Sequence, residues 1–239
     1  FSFYANAQDT LTGAMVNAYN ASGLLEQNRA VLRAADEDVA TAASQLAPVV
    51  SWASSASHSG SDSSAYDTSA SVSLSADYTI YDGGKNSLGL EAAKFSVLAT
   101  RSKLVSIEQN VLFEAVTAYL GVIRETENVS LRENNLSVIR EELRAANDRF
   151  EVGEITKTDV ALAEARLAAS NSALAVAKGS YEKAVASYIS AIGEKPNAPE
   201  YPNFVPEVPS SLESAIAIAL TEHPSISEIK NLVKVSEIN

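Results

Sequence analysis

The sequence predicts a mainly α protein that carries one β-hairpin, with a long antiparallel helical hairpin as its principal feature. Three observations lead there. Residues 85–150 contain no proline and repeat apolar side chains at helical spacing. Between Val49 and Ile80 the apolar pattern drops from a helical period to strict alternation. Five of the seven prolines fall within Gly193–Pro209, so the strongest breaks are gathered in one connector.

Composition narrows the classes of function. The chain is acidic, with 18 Lys and Arg against 30 Asp and Glu and a formal net charge of −12. This argues against a nucleic-acid partner, since phosphate contacts need clustered cations and no basic stripe is present. The sequence has no cysteine, which removes disulfides, thiolate metal sites and cysteine nucleophiles together. Its two histidines, His58 and His223, are far apart, and no nucleophile, base and orienter stand arranged for catalysis. The expectation is a protein that uses no cofactor or metal and catalyses nothing. Nor does any run approach the ~18 consecutive apolar residues of a membrane helix.

Residues 1–7, FSFYANA, differ in character from the rest of the chain. Aromatic residues ahead of Ala5-Asn6-Ala7 read as the end of a secretory signal with its small-residue cleavage site, which would make Gln8 the mature N-terminus. A short apolar N-terminus is the plainer alternative. With Gln8 in place of a cysteine, no lipid anchor is expected there. Residues 8–47 are expected to hold a first helix, because Leu11, Met15, Ala18, Leu25, Leu32 and Val39 recur at three-, four- and seven-residue steps until Pro48 stops it.

Residues 48–82 read as a hairpin. Ala70, Val72, Leu74, Ala76, Tyr78 and Ile80 alternate with hydroxyl and acidic residues, and Val50 and Trp52 occupy the apolar side of the earlier strand. HSGSDSSAYD, which includes His58, is expected to be the polar loop between them. Two strands of about ten residues, small and polar on one side and apolar with aromatics on the other, fit the pattern of an outer-membrane barrel. An ordinary surface hairpin is the alternative. Two strands alone cannot close a barrel, and an open edge is not tolerated in lipid, so the membrane reading requires partner strands. Trp52 and Tyr78 fit an interfacial aromatic belt as well as they fit simple β-propensity.

Tyr81, Asp82, Gly83 and Gly84 form the corner from strand to helix, the glycines permitting a sharp turn. A phosphate-binding loop is ruled out here, because Asn86 follows Lys85 and Thr79 stands where the upstream glycine is required. Residues 83–193 are expected to be a long helical hairpin. Val122, Val129, Leu136, Leu143 and Phe150 keep strict seven-residue spacing, which implies supercoiled helices, while Glu125 and Arg132 make one flank wet. At the tip Gly153 allows the reversal, and Thr156 with Asp159 is a cap-like pair that starts the return helix. Residues 194–210 are the Pro-rich connector. Residues 211–239 then repeat the register of the first helix: Leu11, Ala14, Met15, Ala18 and Leu25 align with Leu212, Ala215, Ile216, Ala219 and Ile226. The expectation is a second copy of the same unit that stops inside its first helix. His223, just before Pro224, is expected at a helix junction.

A helix, a strand hairpin, a YDGG corner, a long hairpin with the tip RFEVGEITKTDV and then the same helix again resemble the TolC-like outer-membrane efflux and secretion channel family. The resemblance covers Gln8–Asn239 and is most specific at Arg149–Leu167 and Thr79–Ser87. It implies a homotrimer, with the strands joined in one shared transmembrane β-barrel and the helices in a hollow α-barrel crossing the periplasm of a Gram-negative cell. Val50, Trp52, Val72, Leu74, Tyr78 and Ile80 would face outer-membrane lipid. The resemblance further implies that Val152, Gly153, Glu154 and Ile155 dock a periplasmic adaptor, itself joined to an inner-membrane transporter that supplies the energy. By the same resemblance Thr158 and Asp159, next to the cap residue Thr156, would join polar links that hold the mouth closed. The other readings are a periplasmic adaptor or structural coiled-coil protein. An adaptor is disfavoured by the serine-rich hairpin and repeated helix that flank the long hairpin, in place of compact β-domains. A filament subunit is disfavoured by the secretion signal.

Overall fold

The computed structural model describes residues 9–59, 67–204 and 206–238. The expected signal remnant, 1–7, lies outside the described residues. The order is α1 (Leu11–Ala21), α2 (Gly23–Ser44), β1 (Val49–Ser59), β2 (Asp67–Asp77), α3 (Lys85–Glu151), α4 (Lys157–Ile192), α5 (Leu212–Glu222) and α6 (Pro224–Ile238). The fold is mainly α with one two-stranded antiparallel sheet. The chain divides into two compact units, the first built from residues up to 26 with 107–209, the second from 27–106 with 210–238.

In the first unit α4 returns along the C-terminal part of α3. The seam follows the heptad. On α4, Val160, Ala163, Leu167, Ser170, Leu174 and Ala177 alternate three- and four-residue steps and are all buried or half-buried. On α3, Ala115, Val122, Val129, Leu136 and Leu143 do the same at seven-residue steps, while Phe150 at the tip is exposed. Of the two residues expected to make a wet flank, Arg132 is exposed, whereas Glu125 is half-buried and accepts from Arg124 Nε at 3.1 Å and from the Asn128 amide at 3.2 Å. Asn135 donates from its amide to the buried Ser170 hydroxyl at 3.4 Å, and Lys178 pairs with Glu133 at 3.0 Å. At the base of the hairpin Leu11, Ala14 and Ala18 of α1 pack into a core with Ala115, Tyr119, Val122, Ile123, Tyr188 and Ile192. Burying each of the large members removes enough apolar surface from water to stabilise by about 1.5–3 kcal/mol.

The single helix expected over residues 8–47 is two helices. Ser22 leaves the helical region with ψ 105°, and its Oγ accepts from the Leu25 N–H at 3.3 Å, so it ends α1 and caps α2. The internal repeat shows the same device. α1 and α5 are both 11 residues long, each starting after a hydroxyl cap, Thr10 and Ser211. α5 stops at His223, whose Nδ1 accepts from the Ser225 N–H at 3.2 Å ahead of Pro224 and α6. Ser22 and His223 are aligned positions of the repeat, so the break belongs to the repeated unit.

In the second unit β1 and β2 pair over their full lengths, from Val49 with Asp77 to Ser59 with Asp67. Two expectations are corrected here. His58 and Ser59 belong to β1 and Asp67 to β2, not to a loop, and the rest of the expected loop, 60–66, lies outside the described residues; His58 Nδ1 lies 2.8 Å from Thr68 Oγ1 across the ladder. Tyr78 and Ile80 lie beyond the strand, which ends at Asp77. The residue next in register opposite Tyr78 is Pro48, which has no N–H to extend the ladder. Elsewhere in this unit the Asn86 amide reaches the Gln45 carbonyl at 3.3 Å, and Ser102 bonds Ser227 at 3.1 Å.

Candidate functional site

The tip is assembled from two opposed caps. α3 closes with a Schellman motif: Glu154 N–H donates to the Arg149 carbonyl at 2.9 Å and Gly153 N–H to that of Phe150 at 3.0 Å. This requires a left-handed residue, and Gly153 supplies it with φ +78°. α4 opens with a capping box. Thr156 N–H donates to Asp159 Oδ2 at 2.8 Å, and Asp159 N–H donates to Thr156 Oγ1 at 3.4 Å. The Thr156 hydroxyl also donates to Asp159 Oδ2 at 2.7 Å. The two bonds that Asp159 Oδ2 accepts from Thr156, the hydroxyl's first and then the backbone N–H's, hold the Asp159 carboxyl below its ordinary value. Between the caps Val152 is 72% exposed, Glu154 is exposed and Ile155 is half-buried. The residues expected to act together at the tip are therefore one rigid bend with an apolar point and an acidic edge. Thr158 stands exposed in the first turn of α4. Asp159 has a structural task within its own chain, and any link to another chain would be added to it.

The strand-to-helix corner is a separate site in the second unit. Asp82 accepts from Gly84 N–H at 2.9 Å and from Asn86 N–H at 2.7 Å, one bond to each oxygen, which caps α3. Gly83 and Gly84 both have positive φ, and Tyr81 is exposed. On the sheet Trp52 faces Leu74 across the strands, and both are about three-quarters exposed, at 69% and 75%. Val50 and Val72 are exposed on the same face.

One cluster was not anticipated by residue patterns. Asp9 straps the connector across the base of the long hairpin. Its carboxylate accepts from the Tyr188 hydroxyl at 3.0 Å and from Asn197 N–H at 2.6 Å. The Tyr119 hydroxyl lies 2.5 Å from the Asp9 carbonyl and 2.8 Å from that of Glu200. Tyr119 and Tyr188 are fully buried, their ring centroids 6.3 Å apart. Burial raises both phenols above the ordinary 10.0, and for Tyr188 the bond to Asp9 adds to it. A raised folded value means that the neutral form is favoured by the fold. Its contribution is complete below about pH 10 and is lost as the pH climbs from there. Thermal melts of the purified protein between about pH 9 and 11 should show stability falling with pH, and Tyr188→Phe should flatten that slope.

The family model for outer membrane efflux proteins matches residues 6–194. The outer membrane efflux protein BepC of Brucella suis biovar 1 (strain 1330) is 35% identical over 235 residues, covering 98% of this chain and 52% of BepC. Among solved structures, the Campylobacter jejuni CmeC outer membrane channel superposes with a TM-score of 0.82 at 18% identity, over 95% of this chain and 51% of that one. The outer membrane protein VceC of Vibrio cholerae does so with 0.80 at 18% identity, over 95% and 57%. At that identity the superpositions speak for the fold. The chain spans about half the length of these relatives.

Proposed function

The chain belongs to the outer membrane efflux protein family, located in the outer membrane and extending into the periplasm, and from that premise we propose that it forms the wall of a passive exit duct. Three copies enclose one aqueous bore, the sheets joining in a β-barrel through the membrane and the helices in an α-barrel below it. The duct has no cofactor and catalyses nothing. Its tip, Val152 to Ile155, receives a periplasmic adaptor, and an inner-membrane transporter drives the export of small molecules or of secreted protein.

The observation that carries this reading is the two-faced hairpin. One face bears Val50, Trp52, Val72 and Leu74, all exposed, and the other a ladder of serines. A surface hairpin in water has no use for such a face, whereas a barrel stave needs it against lipid and needs hydroxyls against the bore. The exposed Phe113, Leu131 and Val138 on α3 and Val176 on α4 support it too, as faces for neighbouring copies to cover.

Leu74→Arg tests the reading. On the lipid face it should destabilise the inserted barrel by about 2–4 kcal/mol and deplete the trimer from outer-membrane fractions. Ser73→Arg, one residue away on the opposite face, should leave the amount of trimer near wild type. Equal depletion by both, or by neither, would rule out a membrane face.

A further inference from the structure

We infer that His58 and Thr68 form a phosphate-binding pair on the lipid face of the hairpin, placed to hold the phosphorylated headgroup of a lipid in the outer leaflet. The inference rests on the barrel reading above. Hydrogen bonds of 2.8 Å between Ser55 and Ser71 and of 2.7 Å between Ser57 and Ser69 put those four hydroxyls on one side of the sheet. Side chains alternate along a strand, so His58 and Thr68 fall on the other side, with Val50, Trp52, Val72 and Leu74. The two residues are partners in the ladder, and His58 Nδ1 lies 2.8 Å from Thr68 Oγ1.

The pair is unlike the rest of its face. Val50–Ala76, Trp52–Leu74, Ser54–Val72 and Ala56–Ala70 each have at least one apolar member. His58–Thr68 has none, and both of its residues are exposed. His58 is also the one side chain on this face of the paired strands that can carry charge, and that charge is positive. The carboxylates of the two strands, Asp67 and Asp77, stand an odd number of residues from Thr68 and so belong to the serine side. An anion approaching the pair along the lipid face therefore meets no carboxylate on the paired strands.

Height in the membrane agrees. β1 follows α2 and β2 leads into α3, so Val49 and Asp77 mark the periplasmic end, and His58–Thr68 lies nine residues further toward the cell surface. Nine steps rise about 31 Å along a strand, or about 23 Å along the membrane normal at a tilt of about 40°. That is close to the ~25 Å height of an outer-membrane apolar band. The pair thus comes to the level at which acyl chains give way to headgroups. An imidazole and a hydroxyl both supply donors for phosphate oxygens, and bonds to an ionised acceptor are the stronger kind.

The test takes the assembled channel as cells produce it, purified from outer membranes, with bis-phosphorylated lipid A as the probe. Added lipid A should raise the melting temperature of wild type, whereas lipid A stripped of its phosphates, or inorganic phosphate alone, should not. That comparison needs no variant. His58→Leu combined with Thr68→Val should melt like wild type without lipid and need about tenfold more lipid A for the same rise, the value of one charge-assisted hydrogen bond. His58→Lys, which keeps a cationic donor, should respond as wild type does. An equal rise with the stripped lipid or with inorganic phosphate overturns the inference, as does a double variant whose response to lipid A is unchanged. Thiol labelling separates this from the reading beneath it, because the sequence has no cysteine of its own. Ser71→Cys should react with a charged, water-soluble thiol reagent and Val72→Cys should be protected by lipid. If that pattern holds while phosphate makes no difference, only the role of His58 and Thr68 fails. If Val72→Cys reacts as fast as Ser71→Cys, the barrel reading fails and the inference with it.

Discussion

Gly153→Pro should abolish export while leaving the amount of trimer in the outer membrane close to wild type. Proline fixes φ near −65°, on the opposite side of zero from the +78° found here, and it removes the N–H that bonds Phe150. Both defects fall on one cap, so the end of α3 and the start of α4 cannot keep their relation, and Val152 and Ile155 lose their placement. The tip belongs to the first unit and the β-hairpin to the second, so insertion should not suffer. Gly153→Ala gives the graded comparison. A Cβ there meets nothing within 4 Å, which leaves only the left-handed strain of about 1–2 kcal/mol. Export by the alanine variant should be reduced and by the proline variant lost, measured as retention of a fluorescent efflux substrate or of a secreted protein. Normal export with proline would remove the tip from the docking surface. A loss of trimer with proline would show that the bend is needed for assembly instead.

How much of this could be read from residues alone depends on how local each feature is. Gly153 and the Thr156–Asp159 pair were legible because both caps close within a few residues. The long hairpin was legible because its seam repeats every seven residues through Val122, Val129 and Leu136. The break at Ser22 was not, because Ser and Gly are tolerated in helices and the apolar register runs unbroken from Ala18 to Leu25. Its aligned counterpart was easier, since Pro224 follows His223 directly. The end of the sheet was overrun by three residues because alternation continues through Tyr78 and Ile80, whereas pairing stops where Pro48 can offer no donor. The alternation recorded which side chains avoid water, and the proline recorded where the ladder stops. Of the site, least legible was the strap at Asp9. Its partners Tyr119 and Tyr188 are 110 and 179 residues away. The one available signal was a pair of large aromatics, one in the heptad helix and one in an alanine-rich partner where small side chains otherwise prevail.

That strap gives the largest stability effect expected in the molecule. Tyr119→Ala should destabilise the first unit by about 3–5 kcal/mol, as for other buried aromatics cut back to Ala. Two losses contribute. The ring is fully buried against Leu11, Ala14, Ala18 and Tyr188, so its removal leaves a cavity between rigid helices that cannot collapse into it. The hydroxyl serves the Asp9 and Glu200 carbonyls, so its removal also deprives the connector of its anchor. Tyr119→Phe separates the two. It keeps the packing, and the Asp9 carbonyl keeps the Glu200 N–H at 3.2 Å, so the cost should be only about 1 kcal/mol. The two variants should therefore part company in different assays. In thermal melts followed by helical circular dichroism, Phe should remain near wild type and Ala should fall well below it. In limited proteolysis, both should expose Gly193–Pro209 faster than wild type, since both release the connector. If Phe melts as low as Ala, the hydroxyl and not the ring fastens α1 to the hairpin. If Phe leaves the connector as protected as wild type, Asp9 holds it through Tyr188, Asn197 and the Glu200 N–H without the Tyr119 hydroxyl.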